Sequence, residues 1–198
     1  MGLFYPTHSL GPVMKWFGDD RIDFVVALGS GNHTQPSYRQ EDTTTGLLQM
    51  KSGKLVKIRI DCVSRRPHAM ANYSLQGTKG VYESSRNVGK SVVSFSDGDK
   101  NPWWQPLDSE EYAGYMPKRY RLFKEKAAGA GHGGGDYFIV QDFIDAVKGI
   151  KPPSIDVYEA CEWTAVGLLS ALSVSNRGRA MDMPNFRSNN INDHILTL

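Results

Sequence analysis

The middle of the chain is a series of short β-rich runs separated by turn residues, and this pattern restricts the fold more than any other. Residues 43–50 and 54–62 flank Lys51-Ser52-Gly53, and a short glycine-containing connection between two such runs is typical of a β-hairpin. Apolar and charged side chains alternate over much of the second run, which predicts one packed face and one solvent face. Further strands are predicted at 22–28, 71–76, 81–84 and 91–95.

Two helices are predicted at the end of the chain. Asp136 can cap the first, over residues 137–148, because a carboxylate accepts hydrogen bonds from the free N–H groups of a first helical turn. Asp156 and Glu159 have the spacing of a capping box at the start of the second, which Gly178 would end. The predicted inward stripes are Phe138, Val140 or Gln141, Ile144 and Val147 in the first, and Val157, Cys161, Ala165, Leu168 and Leu172 in the second.

The order of these elements predicts the fold class. A short helix after Ser9, the β-rich middle and two closing helices indicate an α+β fold, with a mostly antiparallel open-faced sheet and helices packed on one face. We expect no Rossmann domain in this chain, because the glycines of Gly29-Ser30-Gly31 follow a strand but do not lead into a helix. We interpret them as a turn.

The composition is that of an ordinary globular chain. It has 198 residues, 40% hydrophobic and 22% charged, with a formal net charge of +2. So small a charge does not favour nucleic-acid binding, and no apolar run is long enough to cross a membrane. Cys62 and Cys161 have no zinc-ligand spacing and are predicted to be buried apolar groups. A cytoplasmic protein is expected, with export of a longer precursor left open.

An irregular segment is predicted at residues 97–129, and it is rich in aromatic side chains such as Trp103 and Trp104. Flat aromatic faces can stack on sugars, but aromatic residues in long loops also form satellite clusters or subunit contacts. The chain has no HExxH, GxSxG or P-loop motif, so no metal site is predicted. A non-catalytic carbohydrate-binding or oligomerisation module is therefore one interpretation.

Several motifs occur together in an order and rough spacing that we associate with a known family. They are Tyr5-Pro6-Thr7-His8, Ser64-Arg65-Arg66-Pro67, residues 75–80, residues 131–137 and residues 156–158. Up to about Arg187 the chain thereby resembles the C-terminal domain of the Gfo/Idh/MocA oxidoreductases, closest to NAD-dependent glycosidases such as α-N-acetylgalactosaminidase. Departures from the pattern occur at Ser9, at Gly135 and over residues 97–129.

This resemblance implies a division of labour between two domains. An N-terminal Rossmann domain would hold NAD or NADP, and a C-terminal domain would bind a carbohydrate substrate. Residues 1–187 are identified as that substrate-binding and oligomerisation domain, with 188–198 as a tail. We expect a homo-oligomer formed through the sheet, no cofactor held by this chain alone, and no activity without the missing domain.

The resemblance also implies a reaction. In the glycosidase branch, the coenzyme oxidises a ring hydroxyl to a ketone, which acidifies the adjacent C–H. The glycosidic bond then breaks by elimination, water adds, and the reduced coenzyme restores the hydroxyl. A carbonyl stabilises the neighbouring carbanion as an enolate, so a modest base is sufficient. Whether the product is an oxidised sugar or a hydrolysed glycoside stays open.

Candidate site residues follow from the same resemblance. Tyr5 and His8 are the catalytic candidates, because an imidazole can move a proton near neutral pH and a tyrosine hydroxyl can assist. Arg65 and His132 are predicted at the rim of the substrate pocket. Tyr82 and Tyr137 are the remaining substrate-binding candidates. The alternative for the first pair is a structural role, in which both residues cap and pack under the first helix.

Overall fold

The computed structural model describes residues 1–67, 72–85, 89–96 and 103–188. The chain divides into a first compact unit, Met1–His68 with Ile155–Leu198, and a second, Ala69–Ser154. The elements are α1 (Thr7–Phe17), β1 (Ile22–Gly29), β2 (Thr43–Met50), β3 (Leu55–Asp61), β4 (Ser74–Gln76), β5 (Gly80–Glu83), β6 (Val92–Phe95), β7 (Gln105–Pro106), α2 (Lys118–Ala127), α3 (Gly135–Val147), α4 (Val157–Ser175) and β8 (Met181–Asp182), with 3-10 turns at Ala113–Tyr115 and His132–Gly134.

The predicted hairpin forms half of the four-stranded sheet of the first unit. β2 and β3 are antiparallel, with Thr43 opposite Asp61, and the chain reverses where Met50 N donates to Lys54 O at 2.9 Å. β1 pairs with β2 and β8 pairs with β1, both antiparallel, so the sheet order is β3-β2-β1-β8. The hairpin prediction is confirmed.

The two faces of this sheet differ in burial. Val25, Leu48 and Val56 lie side by side on one face and are 0–5% exposed, in the same core cluster as residues of α1 and α4. Burial of one such side chain contributes roughly 1.5–3 kcal/mol to folding. The other face leaves apolar side chains in solvent: Leu28, Leu47 and Leu55. Helices on one face and an open opposite face are as predicted.

The buried side of α4 differs from the predicted stripe. Val157 and Leu168 are 66% and 61% exposed, whereas Val166 and Leu169 are fully buried. The helix carries apolar residues around most of its circumference, so its periodicity does not select a side. A polar contact fixes which side of α4 faces the sheet. The buried carboxylate of Glu162 accepts a hydrogen bond from Ile22 N at 2.9 Å and forms an ion pair with Arg21, the residue before β1.

Two predictions about helix starts have different outcomes in the first unit. The capping box of α4 is confirmed: Glu159 N donates to Asp156 Oδ1 at 2.7 Å, and Asp156 N donates to Glu159 Oε2 at 3.0 Å. The first helix begins earlier than predicted, at Thr7, and includes Pro12. Its first turn forms because Leu10 N donates to Pro6 O at 2.8 Å.

The second unit contains its own four-stranded sheet, in the order β4-β5-β6-β7, with every neighbouring pair antiparallel. The chain therefore has two antiparallel sheets where the sequence suggested one. Both are open, and together with the four helices they confirm the predicted α+β class. In the described ranges neither sheet contains a parallel strand pair of the Rossmann type.

Three predictions for the second unit are wrong. Residues 118–127, expected to be irregular, form α2, whose basic and polar sequence gives little apolar periodicity. Asp136 does not cap α3, because the N-cap is Gly134 in a left-handed conformation and Asp136 lies within the first turn. The predicted inward stripe of α3 is also absent: none of its residues is buried, and Val147 is 71% exposed.

Both cysteines are exposed, against the prediction that they are buried. Cys161 lies on the outer side of α4, and Cys62 directly follows β3. Residues 68–71, 86–88, 97–102 and 189–198 are outside the described part, so nearly all of the predicted tail, 188–198, and the start of the predicted strand 71–76 are not described.

Candidate functional site

The start of α1 places the two predicted catalytic residues side by side. The ring centroids of Tyr5 and His8 are 4.4 Å apart, with an interplanar angle of 44°. Both residues are exposed, so both can reach a molecule bound at the surface. The structure thus brings together the pair predicted from the Tyr-Pro-Thr-His motif.

Tyr5 adopts an unusual backbone conformation. Its φ is +53°, a region that costs a bulky residue about 1–2 kcal/mol. Such strain persists only where the surrounding structure enforces it, and it is concentrated at functional sites. Pro6 follows, and α1 begins at the next residue. The chain bends at Tyr5, and the Tyr5 ring therefore packs against the first turn of α1, which contains His8.

Residues 2 and 3, just before the bend at Tyr5, contact the core of the first unit. The side chain of Leu3 is 3% exposed and lies against Gly46, where a Cβ atom would be 2.7 Å from Leu3 Cδ1. Leu3 N donates to Ser170 Oγ at 2.8 Å, and Thr44 Oγ1 donates to Gly2 O at 3.3 Å. The pair is thereby tied to both α4 and β2.

Side chains at this position offer acid–base chemistry beside an apolar surface. An imidazole accepts or donates a proton near neutral pH, and a phenol hydroxyl both donates and accepts hydrogen bonds. Phe4 is 59% exposed, and its ring centroid is 6.3 Å from that of Tyr5. A flat apolar face next to hydrogen-bonding groups suits the mixed surface of a sugar ring.

Arg65 lies in the first unit, exposed, on the segment after β3. A turn centred on Asp61 precedes it: Ser64 Oγ donates to Asp61 Oδ2 at 2.5 Å, and Val63 N donates to Asp61 Oδ1 at 3.1 Å. The hydrogen bonds from Ser64, with the Arg59 guanidinium nearby, lower the pKa of Asp61 to about 2. Arg65 directly follows the last residue of this turn.

Tyr82 lies in β5 of the second unit, opposite Leu75 on one side and Val93 on the other. These side chains and Phe95 contribute to a shallow, mostly apolar depression of about 400 Å³. Tyr73 is nearby, and burial together with the proximity of Tyr82 raises its pKa. This surface suits an apolar group better than a charged one.

His132 and Tyr137 lie at the start of α3 in the second unit. His132 is exposed, has a φ of +54°, and its Nδ1 is 2.8 Å from Asp136 Oδ1. The ring centroid of Tyr137 is 6.2 Å from that of Phe123. A depression of about 370 Å³ is lined by these two rings and by Arg119, Gln141 and Asp145.

The six predicted residues are thus divided between the two units. Tyr5, His8 and Arg65 belong to the first, and the other three, Tyr82, His132 and Tyr137, to the second. Tyr5 and His8 are in contact, whereas His132 and Tyr137 share only the start of one helix. The roles of all six stay predictions.

Two further residues of this region were missed by sequence reasoning. Phe4 directly precedes the Tyr-Pro-Thr-His motif, so its proximity could have been predicted from adjacency alone. Ser170 is 167 residues from its partner Leu3. No local pattern distinguishes it from the other serines of α4, and only the folded chain reveals the contact.

The glycine-containing segment at the end of β1 does not suit a phosphate group. Gly31 N donates to Glu41 Oε2 at 2.5 Å, and a Cβ on Gly29 would lie 2.5 Å from the same carboxylate. An anionic side chain therefore already occupies the backbone donor that a pyrophosphate would need. The interpretation of Gly29-Ser30-Gly31 as a turn is wrong: Gly29 is the last residue of β1, Ser30 N donates to Thr43 O, and Gly31 O accepts from Asp42 N, so the segment stays paired with the start of β2. The next element is a strand and not a helix, and the segment does not fit a dinucleotide.

Two other kinds of feature are absent from the described residues. No group of three or more histidine, cysteine, aspartate or glutamate side chains there is arranged to hold a metal ion. No helix in the described ranges is long and apolar enough to cross a membrane.

Similarity to known sequences covers most of the chain. Residues 21–192 match the family model for the C-terminal domain of glycosyl hydrolase 109. An α-N-acetylgalactosaminidase from Tannerella forsythia is 30% identical over 204 residues, covering 93% of this chain and 42% of that protein. A glycosyl hydrolase family 109 protein from Parabacteroides distasonis has the same identity and coverage over 205 residues. The chain thus spans about 42% of the length of these relatives.

Solved structures show the same fold at low identity. An inositol dehydrogenase homologue from Azotobacter vinelandii, complexed with NAD+, is 15% identical with a TM-score of 0.67, covering 90% of this chain and 47% of that one. The WlbA dehydrogenase from Bordetella pertussis, in complex with NADH and UDP-GlcNAcA, is 15% identical with a TM-score of 0.58, covering 87% and 44%. With the family match, this fold shows that the chain belongs to glycosyl hydrolase family 109 and carries its C-terminal domain, which has the fold of the Gfo/Idh/MocA oxidoreductases.

Proposed function

We propose that this chain is the substrate-binding domain of a longer NAD(P)-dependent oxidoreductase or glycosidase that acts on a carbohydrate. The family, the fold and the fraction of the relatives' length that it spans support this proposal. The remaining part of the protein would supply an N-terminal domain that holds the coenzyme. When bound, the coenzyme would accept a hydride from the carbon that bears the reacting sugar hydroxyl.

The contact between Tyr5 and His8 is the observation that best supports the proposed role of this chain. Ring centroids 4.4 Å apart, on an exposed and strained turn, place a proton acceptor and a hydroxyl where one substrate group can reach both. His8 would take the proton from the sugar hydroxyl as hydride leaves, and Tyr5 would hold that oxygen by a hydrogen bond. Phe4 would contact an apolar face of the ring.

Substitution of His8 in the full-length protein tests this role. His8→Ala should lower kcat by about 10²-fold or more, the usual scale for a positioned acid or base, and Tyr5→Phe should lower it less. His33→Ala is the matched control, because His33 is also exposed and interacts with the segment after β1. Turnover of His8→Ala close to that of the control would remove His8 from the mechanism.

A non-catalytic module that binds carbohydrate is the second candidate. Trp103 is 74% exposed and Tyr115 is 69% exposed, and exposed aromatic rings can stack on sugars. Calorimetry with simple sugars separates the two functions. Binding that is unchanged by His8→Ala and lost in Trp103→Ala would favour the module.

The open face of the first sheet is the proposed subunit interface. Leu47 and Leu55 are 48% and 68% exposed there, and an apolar sheet face of this kind is typical of an oligomer contact. A second copy of the chain, packed face to face, would cover it. Leu47→Lys with Leu55→Lys should halve the mass measured by light scattering, whereas Leu168→Lys, on the outer side of α4, should leave it unchanged.

A further inference from the structure

We infer that Ser170 is a positioning residue for the Tyr5–His8 pair, an inference that rests on the proposed function of that pair. Ser170 lies in α4 and is fully buried. Its Oγ accepts a hydrogen bond from Leu3 N at 2.8 Å and donates one to Gly167 O at 2.7 Å. The hydroxyl thus holds the backbone two residues upstream of Tyr5.

Surrounding contacts leave this upstream segment little freedom. Leu3 is inserted against Gly46 of β2, and Thr44 holds Gly2 O. On the helix side, a Cβ on Gly167 would lie 3.3 Å from Leu3 O and 3.5 Å from Pro6 Cδ. The segment therefore lies close against the backbone of α4, and the hydrogen bond to Ser170 fixes its register along the helix.

The consequence for chemistry follows from the strain at Tyr5. A non-glycine residue keeps a φ of +53° only if the residues on both sides are held. Ser170 holds the upstream side, and α1 holds the downstream side through Pro6 O. If the upstream bond is lost, Tyr5 can relax and the ring contact with His8 will change. A displacement of about 1 Å at reacting groups can lower a rate by about 10²-fold.

Ser173 provides a matched control on the same helix. It is equally buried, and its Oγ accepts from Ala27 N at 2.8 Å and donates to Arg179 O at 2.7 Å. It anchors β1 in the way that Ser170 anchors residues 2–3. Loss of either hydroxyl should therefore destabilise the fold similarly, but only Ser170 is connected to the turn at Tyr5.

The test compares three variants of the full-length protein. Ser170→Ala should lower kcat about tenfold or more with little change in KM, while Ser173→Ala should lower the Tm similarly and keep kcat within twofold. Gly167→Ala should also lower kcat, because the added methyl would lie 3.3 Å from Leu3 O and displace that backbone by a few tenths of an ångström, although alanine favours a helix. Equal kcat values for the two serine variants would overturn the inference, as would full activity of Gly167→Ala.

Hydrogen exchange of the peptide covering residues 2–10 supplies a readout that is independent of turnover. Its exchange should accelerate in Ser170→Ala and stay unchanged in Ser173→Ala. Unchanged exchange in Ser170→Ala would overturn the positioning role whatever the kinetics show. If His8→Ala is fully active, the proposed function fails, and the exchange result still decides whether Ser170 holds the turn.

Discussion

The two units of this chain are stabilised in different ways. The core cluster, which includes Leu48, Val166 and Leu169, lies entirely in the first unit. In the second unit the buried apolar side chains of the described residues are Val93, Tyr112 and Ala127. The first unit is therefore held by burial of apolar area, and the second must depend more on contacts at its surface.

An ion-pair network supplies part of what the second unit lacks. The carboxylate of Asp142 is 2.5 Å from both Arg119 Nη1 and Lys151 Nζ, and it accepts from Ser154 Oγ at 3.1 Å. These bonds connect α2, α3 and the segment after α3. The unit with the Tyr5–His8 pair is therefore the one with the larger apolar core. Such a core suits a strained backbone conformation, which persists only where the surrounding structure holds it.

The largest expected difference comes from matched truncations of apolar residues. Leu48→Ala should lower the free energy of unfolding by about 2–5 kcal/mol, because it leaves a cavity in the core of the first unit. Ile139→Ala in α3 should change it by about 0.5 kcal/mol or less, since Ile139 is 67% exposed. Denaturant unfolding measures both. If both variants lost a similar free energy of unfolding, Ile139 would be covered in solution, and the two units would not differ in apolar burial as described.

Acid should weaken the first unit through Asp61. Its pKa is about 2 in the folded chain against an ordinary 3.8, so its contribution is present above pH 4 and is lost as the pH falls through 2. After allowance for solvent screening, this amounts to about 1 kcal/mol.

Asp61→Asn should therefore flatten the stability profile between pH 4 and 2, as measured by thermal unfolding. The exposed residue Asp182 provides the control Asp182→Asn, which should keep the wild-type slope. An unaltered slope in Asp61→Asn would mean that its hydrogen bonds to the following turn are not formed in solution.

Salt should affect the second unit locally, and this is the smallest effect. Burial alone would raise the pKa of Asp142, but hydrogen bonds from Lys151, Arg119 and Ser154 outweigh it and lower the pKa. Asp142→Asn should accelerate hydrogen exchange in α2 and α3, by an amount worth about 0.5–1 kcal/mol at low salt and less at 1 M salt.

Asp108→Asn is the control for this measurement, because Asp108 and its partner Lys90 are both more than 60% exposed. It should leave exchange unchanged. If it perturbs α2 and α3 as strongly as Asp142→Asn, the network around Asp142 is not what holds the two helices.

Local signals account for the predictions that succeeded. The turn at residues 51–53 joins two strands because its neighbours alternate in polarity, and Asp156 caps α4 because its partner Glu159 is three residues away. In each case the interacting groups are close in sequence, so the sequence contains the whole interaction.

Failures occurred where distant parts of the chain compete. The predicted inward stripe of α4 included Val157 and Leu168, but the buried Glu162 contacts Ile22 and turns another side of the helix to the sheet. Spacing along one helix does not contain this information. The failure at Asp136 is instead local: Asp136 lies in the first turn of α3 and interacts with His132, four residues before it, while glycines form the start of the helix.

The sequence by itself determined the α+β class, the hairpin and the helix cap, because short-range sterics and hydrogen bonds set each of them. Tertiary structure alone decided which side of α4 is buried, that the strands form two sheets, and that Ser170 holds the backbone before Tyr5. The reason is physical: burial and long-range hydrogen bonds depend on which surfaces meet, and many surfaces of similar polarity can meet until the whole chain is folded.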